Sequence, residues 1–156
     1  MSPERRYAEE AGVLMAGLGL PPAAGKLFGW LMICEPAAQT SGQLVEQLGL
    51  SKGSVSTNMR LLENVGMVRR VPAPGRRGHA YQVAPDTMMR VAADPTQFRR
   101  FRELMDRGVT LAGGEDASRA DRLRVTRDFY AFLERELPKL VARFRSEYPS
   151  KGENDD

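Results

Sequence analysis

The chain has 156 residues, one histidine, one cysteine and a formal net charge of +3. A domain of this length buries about 70% of the surface that its unfolded chain exposes, so a core is expected without cross-links. One cysteine and one histidine exclude an intrachain disulfide and a zinc site built from Cys and His ligands. We therefore expect a protein of a reducing, cytoplasmic compartment.

The apolar runs of the sequence are short, and "WLMI" at 30–33 is among the longest. A transmembrane helix needs about 20 predominantly apolar residues. The first residues, "MSPERRYAEE", do not have the form of a signal peptide. We expect no membrane partner and no export.

Two amphipathic helices are predicted first. Ser2 and Pro3 have the form of an N-cap and a first helical position. Apolar side chains then recur on one face, at Tyr7, Ala11, Leu14, Met15 and Leu18. Pro22 opens a second, strongly apolar helix after "GLGLPP", and Pro36 ends it.

A pair of shorter helices is predicted next. Ser41 is the expected N-cap of a helix that ends at Gly49. The following residues, "SKGSVST" at 51–57, resemble a loop by composition. At 100° per residue, however, one side of a helix receives Val55, Met59, Leu62 and Val65, and the other receives Gly53, Ser56, Thr57, Arg60 and Asn64. We predict a helix capped by Ser51 with an uncovered polar side.

A hairpin and two long helices complete the prediction. "MVRRV" and "HAYQVA" read as strands on either side of the turn "PAPGRRG". Residues 94–97 have the form of a capping box with proline at the first helical position. A last helix is expected to start near Ser118, to be kinked or split at Pro138, and to be followed by a disordered tail at 149–156.

Positive charge is concentrated in the middle of the chain. Residues 51–79 hold six basic residues and one acidic residue, a net charge of +5, which leaves −2 for the rest. The six are Lys52, Arg60, Arg69, Arg70, Arg76 and Arg77. Such a patch is typical of an interface with a nucleic acid, although chance clustering is an alternative because arginine is abundant here.

The order of these elements predicts a winged helix-turn-helix. A short helix, a turn around Gly49, a helix with an exposed polar side and a basic hairpin follow one another. The second of these helices suits the major groove of duplex DNA, with Lys52 and Arg60 directed at phosphates or guanine edges. Arg76 and Arg77 suit the backbone or the adjacent minor groove. The alternative is a winged helix that docks proteins and leaves its arginines solvated.

Three segments also resemble a known family. "GLPPAAGKLFGWLMICEP", "LVEQLGLSKGSVSTNMRLLENVGMVRRV" and "GRRGHAYQV" look like the MarR family of bacterial transcription regulators, in particular the subgroup similar to the glycine betaine synthesis regulator. The resemblance is specific over residues 19–83. It implies a homodimeric winged-helix regulator that contacts DNA through Ser51, Lys52, Gly53, Ser56, Thr57, Arg60, Arg76 and Arg77.

The terminal helices predict a dimer. Those at 3–18, 95–112 and 118–147 carry more apolar surface than one small winged helix covers, which indicates packing between two chains. Two recognition helices about 34 Å apart would bind a pseudo-palindrome. The alternative is a monomer that folds these helices onto its own core. We assign residues 21–85 to DNA binding, and residues 1–20 and 86–148 to a helical dimerisation region.

The resemblance further suggests choline or a related osmolyte as an effector. A quaternary ammonium group favours aromatic faces, and the candidates are Phe28, Trp30, Phe98 and Phe101, for which ordinary core packing is the alternative. Cys34 lies on an apolar helix with no basic neighbour, so a buried structural thiol is favoured over a redox switch. His79 is expected at the surface or against a phosphate rather than on a metal ion.

An enzyme is not expected. The sequence has no nucleophile with an adjacent base and no phosphate-binding glycine loop, and its single histidine limits proton transfer. No cofactor or metal is implied. The fold class expected is mainly α with a small β-hairpin wing, a winged helix-turn-helix with long N- and C-terminal dimerisation helices. The function expected is regulation of transcription, as a repressor that a small ligand releases.

Overall fold

The structure is a computed structural model that describes residues 1–149. The chain forms helices and one antiparallel hairpin, with these bounds: α1 Pro3–Gly17, α2 Pro22–Ile33, α3 Ser41–Leu48, α4 Lys52–Asn64, β1 Val68–Pro72, β2 His79–Val83, α5 Pro85–Ala93, α6 Thr96–Leu111 and α7 Asp121–Glu147. The predicted class, mainly helical with a small β-hairpin wing, is confirmed. The predicted tail lies outside the described residues, apart from Pro149.

The chain divides into two compact units, residues 1–91 and the residues from 92 onward. The first contains the helix-turn-helix and the hairpin, and the second contains α6 and α7. The expected assignment of residues 1–20 and 86–148 to dimerisation concerns a second chain, so it stays a prediction. No helix in the described part of the chain is both long and apolar enough to cross a membrane.

In the first unit, α1 packs against α2 through small residues. A Cβ atom at Gly25 would lie 2.7 Å from the carbonyl oxygen of Ala11, and one at Gly29 would lie 2.5 Å from the Ala11 Cβ. The buried positions of α1 are Ala8, Gly12 and Met15. Close backbone approach therefore selected the small residues for the contact with α2 and left Tyr7, Leu14 and Leu18 of the predicted apolar face exposed.

The helix-turn-helix is built from α3 and α4. Thr40, not Ser41 as predicted, caps α3: its hydroxyl accepts from the Gln43 amide at 3.2 Å, and the Gln43 side chain accepts from the Thr40 amide at 2.8 Å. Gly49 ends α3 with φ of 65° in the left-handed region. Ser51 caps α4 as predicted, and its Oγ accepts from the Ser54 amide at 3.1 Å.

The apolar side of α4 enters the core of the first unit. Val55, Met59 and Leu62 are fully buried there with Leu27 and Leu44. Val65, which was expected on the same side, is 39% exposed because α4 ends at Asn64 and Val65 is its C-cap. The core therefore holds α4 firmly by three side chains and leaves its other side free.

The wing is the antiparallel pair β1 and β2, in register from Val68 opposite Val83 to Pro72 opposite His79. The segment before α3 joins it at one isolated bridge between Gln39 and Tyr81. The helix α5, which follows the wing, was not predicted.

The second unit is a packed pair of helices. Phe98 and Phe101 of α6 stack on Tyr130 of α7, with ring centroids 6.4 and 4.7 Å apart. Glu134 accepts from Arg99 at 3.2 Å and from Arg102 at 2.7 Å. These contacts join α6 to α7 along one face of each helix.

Three details of this unit differ from the prediction. The expected capping box is absent, because α6 starts at Thr96 and Asp94 Oδ1 instead accepts from the amide and the hydroxyl of Thr96, at 2.9 and 2.6 Å. A single 3-10 turn at Ser118–Ala120 precedes α7. The helix α7 continues through Pro138, so the predicted split is absent, and the alternative of a kink at this residue stays a prediction.

Candidate nucleic-acid interface

The N-terminal half of α4 presents an open, polar side. Ser51, Lys52, Gly53, Ser56, Thr57 and Arg60 are all exposed. A Cβ atom built on Gly53 would meet no other atom within 4 Å. Because these side chains are short around Gly53, a ligand as large as a duplex can approach the helix backbone closely at this point.

The first turn of α4 is suited to an anion. The Ser51 hydroxyl occupies the Ser54 amide, whereas the amides of Lys52 and Gly53 have no acceptor within the helix. These amides and the helix dipole favour a phosphate group, and the ammonium group of Lys52 adds a full positive charge beside them.

Asn58 is a buried polar residue on α4 that the sequence reasoning missed. It is 8% exposed, and its Nδ2 donates to the carbonyl oxygen of Ser54 at 2.8 Å and to the Ser54 hydroxyl at 3.4 Å. These two hydrogen bonds fix the position of Ser54, which lies between the capping residue Ser51 and the exposed side of the helix. The four-residue spacing of these two polar side chains was a visible signal, because such residues adjoin on a helix.

The tip of the wing displays two arginines. Ala73 is buried below the tip, and its amide donates to the carbonyl oxygen of Gly78 at 3.1 Å. Gly78 has φ of 92°, a conformation that favours glycine. Arg76 and Arg77 lie in this turn with exposed side chains, so the turn directs both charges into solvent.

The six basic residues of the central segment divide into two groups. Arg70 pairs with Glu63 at 3.1 Å, and Arg69 lies 3.9 Å from Asp86. The other four form no ion pair within residues 1–149: Lys52, Arg60, Arg76 and Arg77. Within this segment, the charges left available for an anionic partner are therefore those at the exposed side of α4 and at the wing tip.

The aromatic residues proposed for an effector lie in both units. Phe28 and Trp30 pack against the core of the first unit, and the indole nitrogen of Trp30 is buried without a hydrogen-bond partner in the described structure. Phe98 and Phe101 belong to the stack on Tyr130 in the second unit. A common site for all four stays a prediction.

Cys34 and His79 have local partners. The Cys34 thiol lies 3.4 Å from the Pro36 carbonyl oxygen, and burial raises its pKa, which disfavours the reactive thiolate. The exposed His79 Nε2 lies 3.2 Å from the Tyr81 hydroxyl. Among residues 1–149, no three His, Cys, Asp or Glu side chains come together in a way that could hold a metal ion.

Comparisons with known proteins identify the family. Residues 18–77 match a sequence model of the MarR family, and residues 86–147 match a model described as an MmpR5-like MarR family transcriptional regulator. The HTH-type transcriptional regulator MmpR5 of Mycobacterium tuberculosis (strain ATCC 25618 / H37Rv) is 30% identical over 141 residues, which cover 88% of this chain and 84% of that protein.

A solved structure agrees with these matches. The crystal structure of a transcriptional regulator is 28% identical, covers 90% of this chain and 97% of its own, and superposes with a TM-score of 0.81. The narrower resemblance to the glycine betaine synthesis regulator is not confirmed, since the match at residues 86–147 is to the MmpR5-like model. The chain belongs to the MarR family of transcriptional regulators, which are DNA-binding proteins with a winged helix-turn-helix.

Proposed function

We propose that the protein is a homodimeric repressor that binds a pseudo-palindromic operator through α4 and the wing. The observation that carries this proposal is the distribution of free charge. Of the six basic residues at 51–79, the four that form no ion pair among the described residues lie on the two elements that a winged helix applies to DNA. A docking module for proteins, the alternative, gives no reason for that distribution.

The α4 part of the interface combines close approach with base reading. Ser56 and Thr57 are short enough to let the helix enter the major groove, and either hydroxyl serves as a donor or an acceptor there. Arg60 lies one turn further along the helix, where its guanidinium reaches a guanine edge or a phosphate. Lys52 and the amides of the first turn bind the backbone and fix the position of the helix.

The wing part supplies affinity rather than sequence selection. Arg76 and Arg77 are at the end of a hairpin, so they reach phosphates beside the groove that α4 occupies, or the minor groove next to it. Contacts of this kind release counterions and make binding sensitive to salt.

A second copy of the chain is the proposed partner of the exposed apolar surface. On α7, Phe129, Phe132, Leu140 and Phe144 are about half exposed, and Tyr7, Leu14 and Leu18 are exposed on α1. Leu133, Leu137 and Leu140 line a groove of about 410 Å³ along α7. Exposed apolar residues of this number on one helix are typical of an interface, and a two-fold symmetric dimer would use the same surface of both chains.

The proposed effector is a small quaternary ammonium compound. A choline-like ligand held by Phe28, Trp30, Phe98 and Phe101 follows from the resemblance to the glycine betaine subgroup and from the affinity of aromatic faces for quaternary ammonium groups. If the ligand acts as proposed, choline or glycine betaine should raise the melting temperature and release bound DNA. No change in either measurement with both compounds would refute this effector.

The experiment that tests DNA recognition compares two duplexes of equal length. The purified protein is titrated into labelled DNA from upstream of its own gene and into a shuffled duplex, at salt concentrations between about 50 and 200 mM. We expect tighter binding to the upstream DNA throughout this range. Equal binding to both would contradict sequence-specific regulation, and co-purification of a protein partner with no duplex binding would favour the docking module.

A further inference from the structure

One ion pair joins the end of the recognition helix to the wing. Arg70 of β1 donates through Nε to both carboxylate oxygens of Glu63 on α4, at 3.2 and 3.1 Å. The hydrogen bonds to Glu63 raise the pKa of Arg70 above the ordinary arginine value. Arg70 is therefore occupied within the chain, unlike the arginines at the wing tip.

The same arginine also contacts the second strand of the wing. Arg70 and Tyr81 are direct partners in the register of β1 and β2, so their side chains lie on one face of the hairpin. The guanidinium carbon lies 5.7 Å from the centroid of the Tyr81 ring, within the range of a cation–π contact. Glu63, Arg70 and Tyr81 thus connect α4, β1 and β2 in that order.

Tyr81 is held in turn by the body of the first unit. It is 4% exposed, and its backbone exchanges two hydrogen bonds with Gln39, at 2.9 and 2.8 Å. The Gln39 side chain donates to the carbonyl oxygen of Pro36 at 2.8 Å. The tyrosine end of the connection is therefore fixed, and a shift of the wing relative to α4 would break the Glu63–Arg70 pair or the ring contact.

We propose that Glu63, Arg70 and Tyr81 form a brace that holds the wing in position for DNA while α4 lies in the groove, and that Arg70 is a positioning residue rather than a DNA contact. This inference rests on the proposed function, in which α4 and the wing bind the same duplex. Neither catalysis nor an effector is involved.

The physical reason for a brace is the cost of ordering a hairpin during binding. A two-stranded hairpin alone is only marginally stable, so a wing held at its base alone would sample several positions. Each rotamer-rich side chain that becomes ordered in a complex costs conformational entropy. A wing already in place avoids that cost, and its two arginines bind as if they were part of a rigid surface.

The test uses Glu63→Gln, for which the two possible roles predict opposite signs. The substitution removes a negative charge close to the proposed interface, so general electrostatics predicts tighter DNA binding. The brace predicts weaker binding, about three- to tenfold, because the wing must be ordered in the complex. Glu46→Gln is the matched control, since Glu46 is an exposed acid on α3 without an ion pair among the described residues. We expect the control to bind at least as tightly as the unmodified protein.

A second pair of variants separates positioning from phosphate contact. Arg70→Gln and the double variant Glu63→Gln with Arg70→Gln should be about as weak as Glu63→Gln, because one broken contact disables the brace. Their plots of log affinity against log salt should keep the slope of the unmodified protein. If Arg70 contacted a phosphate, Arg70→Gln would make that negative slope less steep by about 0.9.

Further measurements on the same variants test their folding and the proposed function. Circular dichroism and thermal unfolding should match for all variants, and amide exchange should become faster in β1 and β2 of Glu63→Gln. If that variant binds DNA as tightly as the unmodified protein or more tightly, the brace is refuted while the regulator remains. If the unmodified protein shows no preference for its upstream DNA, the proposed function itself is refuted, whatever the variants do.

Discussion

At the scale of single residues, the wing arginines and their neighbour Arg70 show that charge alone does not define an interface. Three arginines of the same hairpin have different surroundings: Arg76 and Arg77 are exposed without ion pairs among residues 1–149, and Arg70 is held by Glu63. A count of basic residues in the sequence treats them alike. Their separation depends on the hairpin register, which places Arg70 in the middle of β1 opposite Tyr81.

The first prediction concerns the wing tip. Replacing Arg76 and Arg77 together with alanine should weaken DNA binding. The negative slope of log affinity against log salt should become less steep by up to about 1.8, because each phosphate contact contributes about 0.9. Fluorescence anisotropy at several salt concentrations measures both effects. Arg100→Ala with Arg107→Ala is the control, since it removes the same charge from exposed positions of α6. An unchanged slope in the wing variant would remove the wing from the interface.

The next prediction concerns Gly53, where one substitution should affect stability and DNA binding in different directions. There is room for a methyl group at this helical position, so Gly53→Ala should leave the free energy of unfolding unchanged or raise it by up to about 1 kcal/mol. The same methyl group should weaken DNA binding, because it prevents the closest approach of the helix to a groove. Urea unfolding and DNA titration on one sample make the comparison. Tight binding with normal stability would place the closest contact elsewhere on α4.

At the scale of elements, the packing of α1 on α2 depends on backbone contact. A Cβ atom at Gly25 would lie 2.7 Å from the Ala11 carbonyl oxygen and 2.8 Å from the Gly12 Cα, so Gly25→Ala must push the two helices apart. We expect a loss of about 1–3 kcal/mol in the free energy of unfolding, the usual range for overpacking. Urea denaturation measures it.

Gly17→Ala provides the matched control for this contact. Gly17 is at the end of α1, and a Cβ atom there would meet no atom within 4 Å apart from its own helix backbone and chain neighbours. The control should be neutral or slightly stabilising, since alanine favours a helix. If Gly25→Ala and Gly17→Ala were equally stable, α1 would not pack on α2 as closely as the distances at Gly25 indicate.

The elements also show which parts of the fold were open to prediction. The inward side of α4 followed from three apolar residues at helical spacing, because a large core residue leaves a periodic signal. The inward side of α1 did not, because glycine and alanine carry its closest contacts and leave larger apolar residues outside. The short α5 was missed, although Pro85 at its first position and Asp86 in the first turn are start signals.

The candidate site shows a similar division. The exposed side of α4 and the tip of the wing could be predicted, since composition and helical period mark them directly. The Glu63–Arg70–Tyr81 brace could not, because the residues are seven and eleven positions apart and meet only through the register of the hairpin. Asn58 is intermediate, with a visible spacing to Ser54 but no sign in the sequence that it would be buried.

At the scale of the whole molecule, the exposed apolar residues of α7 favour the proposed dimer. Phe129, Phe132, Leu140 and Phe144 are spaced along one long helix and leave apolar surface that a monomer would expose to water. Burying such surface is favourable by about 25 cal/mol for each Å². The proposed dimer would provide that burial.

The last prediction tests this assembly through Phe132→Glu with Leu140→Glu. Two carboxylates in place of apolar side chains in the groove of α7 should prevent association, because an interface there would lose apolar contacts and would have to desolvate two charges. Sedimentation should then give the mass of a monomer, and affinity for a two-site operator should fall by at least tenfold, since each chain binds a single half-site. The control is Arg145→Glu on the opposite side of the helix at 100° per residue, which should sediment as the unmodified protein does. If the double variant still sediments as a dimer, α7 is not the interface, and the apolar surface of α1 becomes the next candidate.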